Sequence, residues 1–164
     1  MHEVPKDTDL FQGLSPDGVR RISAIGRSRV LAAGDYLFLL GDSAEYLYVV
    51  AKGSLDLCLP MRLGGVVKDI PVESAVAGKA LGWSALVKPY RFTLSARATE
   101  PTEVIGFARG DLQQLFDAAP ELGNRLRANL SELVGLRLLT FQALWVRELQ
   151  RALLTESPHR PDGG

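Results

Sequence analysis

Gly78-Lys79-Ala80-Leu81-Gly82-Trp83-Ser84-Ala85-Leu86, followed by Pro89-Tyr90-Arg91-Phe92-Thr93-Leu94-Ser95-Ala96, is the stretch whose reading decides the fold. A glycine-punctuated turn, a short helical piece, a loop with an arginine and then a strand together make a compact anion site. N–H groups at a helix start face the anion, and the arginine closes over it. Outward from this stretch, residues 28–107 carry one texture. Val30-Leu31, Tyr36–Leu40, Leu47–Ala51, Leu55–Leu59, Val66–Val72, Thr93–Ala98 and Val104–Phe107 are short apolar runs separated by glycine, proline or aspartate. Strands of this length and spacing predict a sandwich or barrel, with a tight hairpin at Leu63-Gly64-Gly65-Val66.

Helical periods flank the strands. Ser15-Pro16-Asp17 reads as a helix start, with a capping hydroxyl, proline at the first helical position and an acid at the positive end. Val19, Ile22 and Ile25 form its buried face, and Gly26 ends it. After Phe107, Leu112–Ala118 predicts a short helix turning Leu112, Leu115 and Phe116 inward. Pro120 opens a segment with no further proline before Pro158. Two partly overlapping stripes run along it: Leu130, Val134, Leu138, Phe141, Trp145, Leu149, and Leu126, Leu130, Leu133, Leu136, Thr140. The apolar arc is too wide for one buried face. A helix to about Ala152 would be roughly 50 Å long, more than one small β domain covers. One stripe is therefore expected to meet the β domain and the other a second copy. The homodimer seam is assigned to Leu126, Leu130, Leu133, Leu136 and Thr140.

Leu10-Phe11, Gly13-Leu14-Ser15, Gly34-Asp35-Tyr36-Leu37-Phe38, Gly41-Asp42, Leu47-Tyr48-Val49-Val50 and Gly53 complete an ordered glycine series. Together with the opening stretch, they make residues 9–120 resemble the cyclic nucleotide-binding domain family, which includes the effector half of bacterial catabolite activators. The resemblance implies a mainly β fold: a double-stranded antiparallel β-helix, or jelly roll, between an N-terminal helix and a long C-terminal one. The expected divisions are a flexible terminus (1–8), the roll (9–119), the dimerisation helix (120–155) and a disordered tail (156–164).

In that family a glycine is followed by a glutamate that accepts from the ribose 2′-hydroxyl, and a later arginine pairs with the cyclic phosphate. Here Trp83 follows Gly82, and an indole donates one hydrogen bond but accepts none. Aligned on the downstream strand through Thr93 and Ala96, the arginine position is held by Tyr90. Counted forward from Gly82, Arg91 falls close to it. A one-residue slip reverses the face a residue presents. If the strand governs, Tyr90 points in and Arg91 out; if the loop relaxes, Arg91 caps an anion. Gly82, Trp83, Ser84, Ala85, Tyr90, Arg91 and Thr93 are thus the candidate ligand-binding residues.

Composition narrows the remaining classes. Nineteen acidic and nineteen basic side chains among 164 residues cancel, so no overall field favours nucleic acid or an acidic membrane. Arg20, Arg21, Arg27 and Arg29 are a local basic group, read as solvated charges with an acidic docking partner as the alternative. The single cysteine, Cys58, forms no internal disulfide and reads as a small core filler. Tyr46 and Tyr48 alternate with Leu47 and are expected to hold polar tips at the surface. His2 and His159 stand at opposite ends, so no histidine cluster, metal site or haem site is expected in the barrel. No nucleophile–base pair is visible, and the catalytic set is empty.

No apolar run is long enough to span a bilayer and no secretion signal is present, which makes cytoplasmic the expectation. About a dozen residues follow Ala152, too few for a helix-turn-helix, so direct DNA binding is not expected. The favoured function is a non-enzymatic ligand-sensing or regulatory module with altered or lost cyclic nucleotide affinity. It needs no cofactor and takes a cyclic nucleotide, another small anion, or nothing. Two alternatives stand beside it: a working cyclic AMP or cyclic GMP effector domain using Arg91, and a ligand-free dimerisation scaffold for an unknown protein partner.

Overall fold

The computed structural model describes residues 4–155; His2, His159 and the tail expected from residue 156 lie outside the described residues. Ser15 does cap the first helix: its Oγ accepts from the Gly18 N–H at 3.1 Å, and α1 runs Pro16–Ile25. The strands follow as β1 (Arg27–Leu31), β2 (Tyr36–Phe38), β3 (Tyr46–Lys52), β4 (Ser54–Leu63), β5 (Val66–Val76), β6 (Ala80–Leu81), β7 (Ser95–Ala98) and β8 (Thr102–Ala108). Then come α2 (Arg109–Ala118) and α3 (Pro120–Thr155).

Two four-stranded sheets, ordered β1-β8-β3-β6 and β2-β7-β4-β5, form an antiparallel roll. The β4–β5 hairpin closes Leu63 onto Val66 through Gly64 and Gly65, both at positive φ, as the two-residue turn requires. Leu47, Val49, Val50, Leu55, Leu81, Ile105 and Phe107 are among the fully buried side chains.

Val4 and Thr8 are buried, and Thr8 Oγ1 donates to the Pro5 carbonyl at 2.6 Å. A 3-10 turn at Asp9–Phe11 then ties the N-terminal segment to the start of β6. The Asp9 N–H donates to the Gly78 carbonyl at 3.1 Å, and Asp9 Oδ1 accepts from the Ala80 N–H at 3.0 Å.

Two compact units divide the chain, one ending at Asn129 and the other starting at Leu130. The division falls inside α3 rather than at its start, because the first turns of α3 belong to the first unit's core. Leu122 and Leu126 are buried there. The buried Asn129 donates from Nδ2 to the Leu10 and Gln12 carbonyls at 2.8 and 2.7 Å.

This corrects the seam at Leu126 and Leu130. Leu126 is fully buried within one chain and Leu130 is also buried, so neither offers a free surface to a second copy. Of the other seam residues, Leu133 is half-buried and Leu136 and Thr140 are exposed. Further along the helix, Leu138, Phe141, Trp145 and Leu149 of the other stripe are exposed as well, Trp145 at 66%.

Candidate functional site

Leu81 and Ala80 pair with Tyr48 and Val49 of β3, an element too short for the sequence pattern to reveal. Beyond it the chain must turn sharply, and Gly82 does so at φ 74°. Its lack of a side chain is required twice. The conformation is left-handed, and an added Cβ would come within 3.1 Å of the Tyr46 carbonyl oxygen and 3.2 Å of the Phe92 ring. Trp83–Leu86 follows as a single 3-10 turn. Ser84 and Ala85 are buried and Trp83 is half-buried. The Ala85 N–H donates back to the Gly82 carbonyl at 3.0 Å, so that backbone donor is closed within the turn and not presented to an anion.

The loop that carries Tyr90 and Arg91 is laced to residues 41–44. The Ala44 N–H donates to the Tyr90 carbonyl at 2.7 Å, the Phe92 N–H to the Asp42 carbonyl at 3.0 Å, and the Gly41 N–H to the Phe92 carbonyl at 2.8 Å. An isolated antiparallel bridge joins Ser43 to Arg91. Arg91 is exposed, and its Nη1 donates to the Gly41 carbonyl at 2.9 Å. Tyr90 is half-buried at φ 58°, with the Arg109 guanidinium 4.4 Å from its ring centre. Thr93 is exposed. The candidate residues therefore separate into a buried turn at Gly82, Ser84 and Ala85 and a loop whose arginine already has a partner.

Sequence reasoning missed the filling beside this turn. Phe92 is buried and stacks on Phe38 with ring centres 3.8 Å apart; Phe38 stacks in turn on Tyr48 at 6.0 Å, and Tyr48 on Tyr46 at 6.0 Å. Tyr48 is buried rather than surface-tipped: residues 47–50 of β3 are buried in succession, so both faces of the strand are covered there. Burial pushes its phenol up from the ordinary range, against an opposing pull from the Arg29 guanidinium. The alternation of Tyr46 and Tyr48 with Leu47 was visible in the sequence; the inward turn of Phe92 depended on the loop register.

Cys58 is buried, and desolvation raises its thiol pKa, as the core-filler reading expects. In the basic group, Arg20 pairs with Asp17 and Arg29 reaches the Leu37 carbonyl at 3.4 Å. Among the described residues, no three His, Cys, Asp or Glu side chains stand together to hold a metal ion. No helix among them is long and apolar enough to cross a membrane.

The geometry defines a β-roll domain with a glycine, short-helix and loop cassette between its sixth and seventh strands. The family model described as the cyclic nucleotide-binding domain matches residues 28–119, and the chain belongs to that family. It is 29% identical over 126 residues to the cyclic AMP receptor protein of Thermus thermophilus, covering 77% of this chain and 57% of the relative. Glutaminase 1 of Bradyrhizobium diazoefficiens is 25% identical over 144 residues, covering 87% of this chain and 22% of that protein. The chain thus spans little more than half of the first relative and about a fifth of the second. The crystal structure of Thermus thermophilus catabolite activator protein superposes with a TM-score of 0.67 at 28% identity, covering 90% of this chain and 63% of that one.

Proposed function

We propose that this chain is a non-enzymatic regulatory module of the cyclic nucleotide-binding family whose cassette has lost the standard grip on cyclic AMP and cyclic GMP. The observation that carries this reading is the pairing of Arg91 with the Gly41 carbonyl, beside a tryptophan at the acid position. A cyclic phosphate would have to draw Arg91 out of an existing hydrogen bond, and a ribose hydroxyl would meet an indole that cannot accept its proton. The Phe92 ring, stacked on Phe38 and set against Gly82, adds to this by giving that side of the turn an apolar surface. Any ligand is then a different small molecule; with none, the filled cassette serves as a scaffold.

The exposed stripe of α3 supports a second part of the proposal: the module self-associates as a homodimer through Leu138, Phe141, Trp145 and Leu149. Large apolar side chains repeated at helical spacing and left open to water favour association with a matching copy.

Thermal denaturation with added nucleotide tests the first part. A ligand at a hundred times its dissociation constant adds about 2.7 kcal/mol of stability. Neither cyclic AMP nor cyclic GMP at millimolar concentration is expected to raise the midpoint. A rise of several degrees with either one, abolished by Arg91→Ala, would support the alternative in which Arg91 still holds the phosphate.

A further inference from the structure

Arg109 begins α2, yet its side chain engages two loops. Its guanidinium lies 4.4 Å from the Tyr90 ring centre, its Nη2 is 3.1 Å from Glu45 Oε2, and its Nη1 donates to the Ala44 carbonyl at 3.3 Å. The Arg109 N–H also donates to the Glu45 carbonyl at 2.9 Å. Three segments distant in sequence, residues 41–45, the cassette loop and the start of α2, therefore meet on one cation. Tyr90 reaches that cation from a left-handed backbone conformation, which a tyrosine adopts only where its surroundings impose it. Its N–H donates to the Val87 carbonyl at 2.9 Å and its carbonyl accepts from Ala44, so the backbone is pinned on both sides of the ring.

We infer that Arg109 is a positioning residue: the Tyr90–Arg109–Glu45 contact is an internal latch that closes the cassette loop onto α2 without a ligand. It rests on the reading above that no standard cyclic nucleotide closes this loop, and it names what closes it instead. Opening the latch frees residues 87–92 and the first turn of α2 together, because one guanidinium serves both. The ring face, not the phenol hydroxyl, is the part of Tyr90 that holds the cation.

Amide hydrogen exchange on the nucleotide-free chain tests the latch. Tyr90→Ala and Arg109→Gln should each speed exchange in residues 87–92 and 109–112 by about tenfold, as one local opening unit. Tyr90→Phe should match the parent in both segments. The double variant should exchange little faster than either single one, since the first substitution already opens the latch.

Multiplied effects in the double variant, a Tyr90→Ala response confined to residues 87–92, or a Tyr90→Phe response equal to that of Tyr90→Ala would each overturn the latch. So would an equal rise in β1 and β8, which signals general destabilisation. If Arg109→Gln does not fold, the comparison of Tyr90→Ala with Tyr90→Phe decides alone. Nucleotide binding by the parent chain would defeat the proposed function but would leave the exchange result standing on its own.

Discussion

At the residue scale, Gly82 shows how one position can be fixed by its neighbours. Its left-handed backbone is one a side chain rarely adopts, and the Tyr46 carbonyl and the Phe92 ring would have to give slightly to admit a methyl group. Gly82→Ala is expected to cost about 1–3 kcal/mol in denaturant unfolding. Gly110, in the first turn of α2, is a contrast: an added Cβ there meets nothing within 4 Å. Gly110→Ala should stabilise by about 0.4–1 kcal/mol in the same measurement.

Cys58 and Tyr48 set the response to alkali. Burial raises both pKa values, so the folded chain keeps protons that the unfolded chain releases. The unfolded chain then binds fewer protons, and stability falls as pH rises above the ordinary thiol range near ~8.5. A denaturation midpoint that holds steady to about pH 8 and declines beyond it is the expected curve; replacing Cys58 with alanine should flatten its first part.

At the element scale, the helix starts and hairpin were legible because local chemistry decides them. Ser15-Pro16 caps α1, and Gly64-Gly65 turns β4 into β5. Strand β6 was not legible: two residues, Ala80 and Leu81, carry no period, and only their pairing with β3 makes them a strand. The two stripes of α3 were legible, but not where their cover ends: Leu126 and Leu130, placed in the seam, are buried, while Leu136 and Thr140 of the same stripe are exposed. Periodicity gives the angle between two apolar faces but not which neighbour each meets. The buried Asn129 ties the same stretch of helix to two backbone carbonyls.

The consequence can be measured. Leu126→Ala should cost about 2–5 kcal/mol of stability through the cavity it leaves and should not change the association state. Leu138→Glu with Trp145→Glu should give monomers by light scattering, because each places an unpaired charge in an apolar seam. A double variant that remains dimeric would remove that stripe from the interface.

At the scale of the whole molecule, the roll and its family were legible from the ordered glycines, which mark turns that other residues fill poorly. The cassette's state was not, because a one-residue difference in register decides whether Arg91 or Tyr90 faces inward. The loop settles with Arg91 on the Gly41 carbonyl, Phe92 stacked on Phe38 and Tyr90 beneath Arg109. On the proposed reading, a family fold persists around a cassette tied by its own side chains.

Isothermal calorimetry with cyclic AMP and cyclic GMP tests that account most directly. Each lost charge-assisted bond weakens binding by about 1.5–3 kcal/mol. With a tryptophan after Gly82 and Arg91 held on the Gly41 carbonyl, the proposed reading expects no saturable heat up to millimolar nucleotide. A micromolar or tighter dissociation constant for either nucleotide, lost in Arg91→Ala, would contradict it.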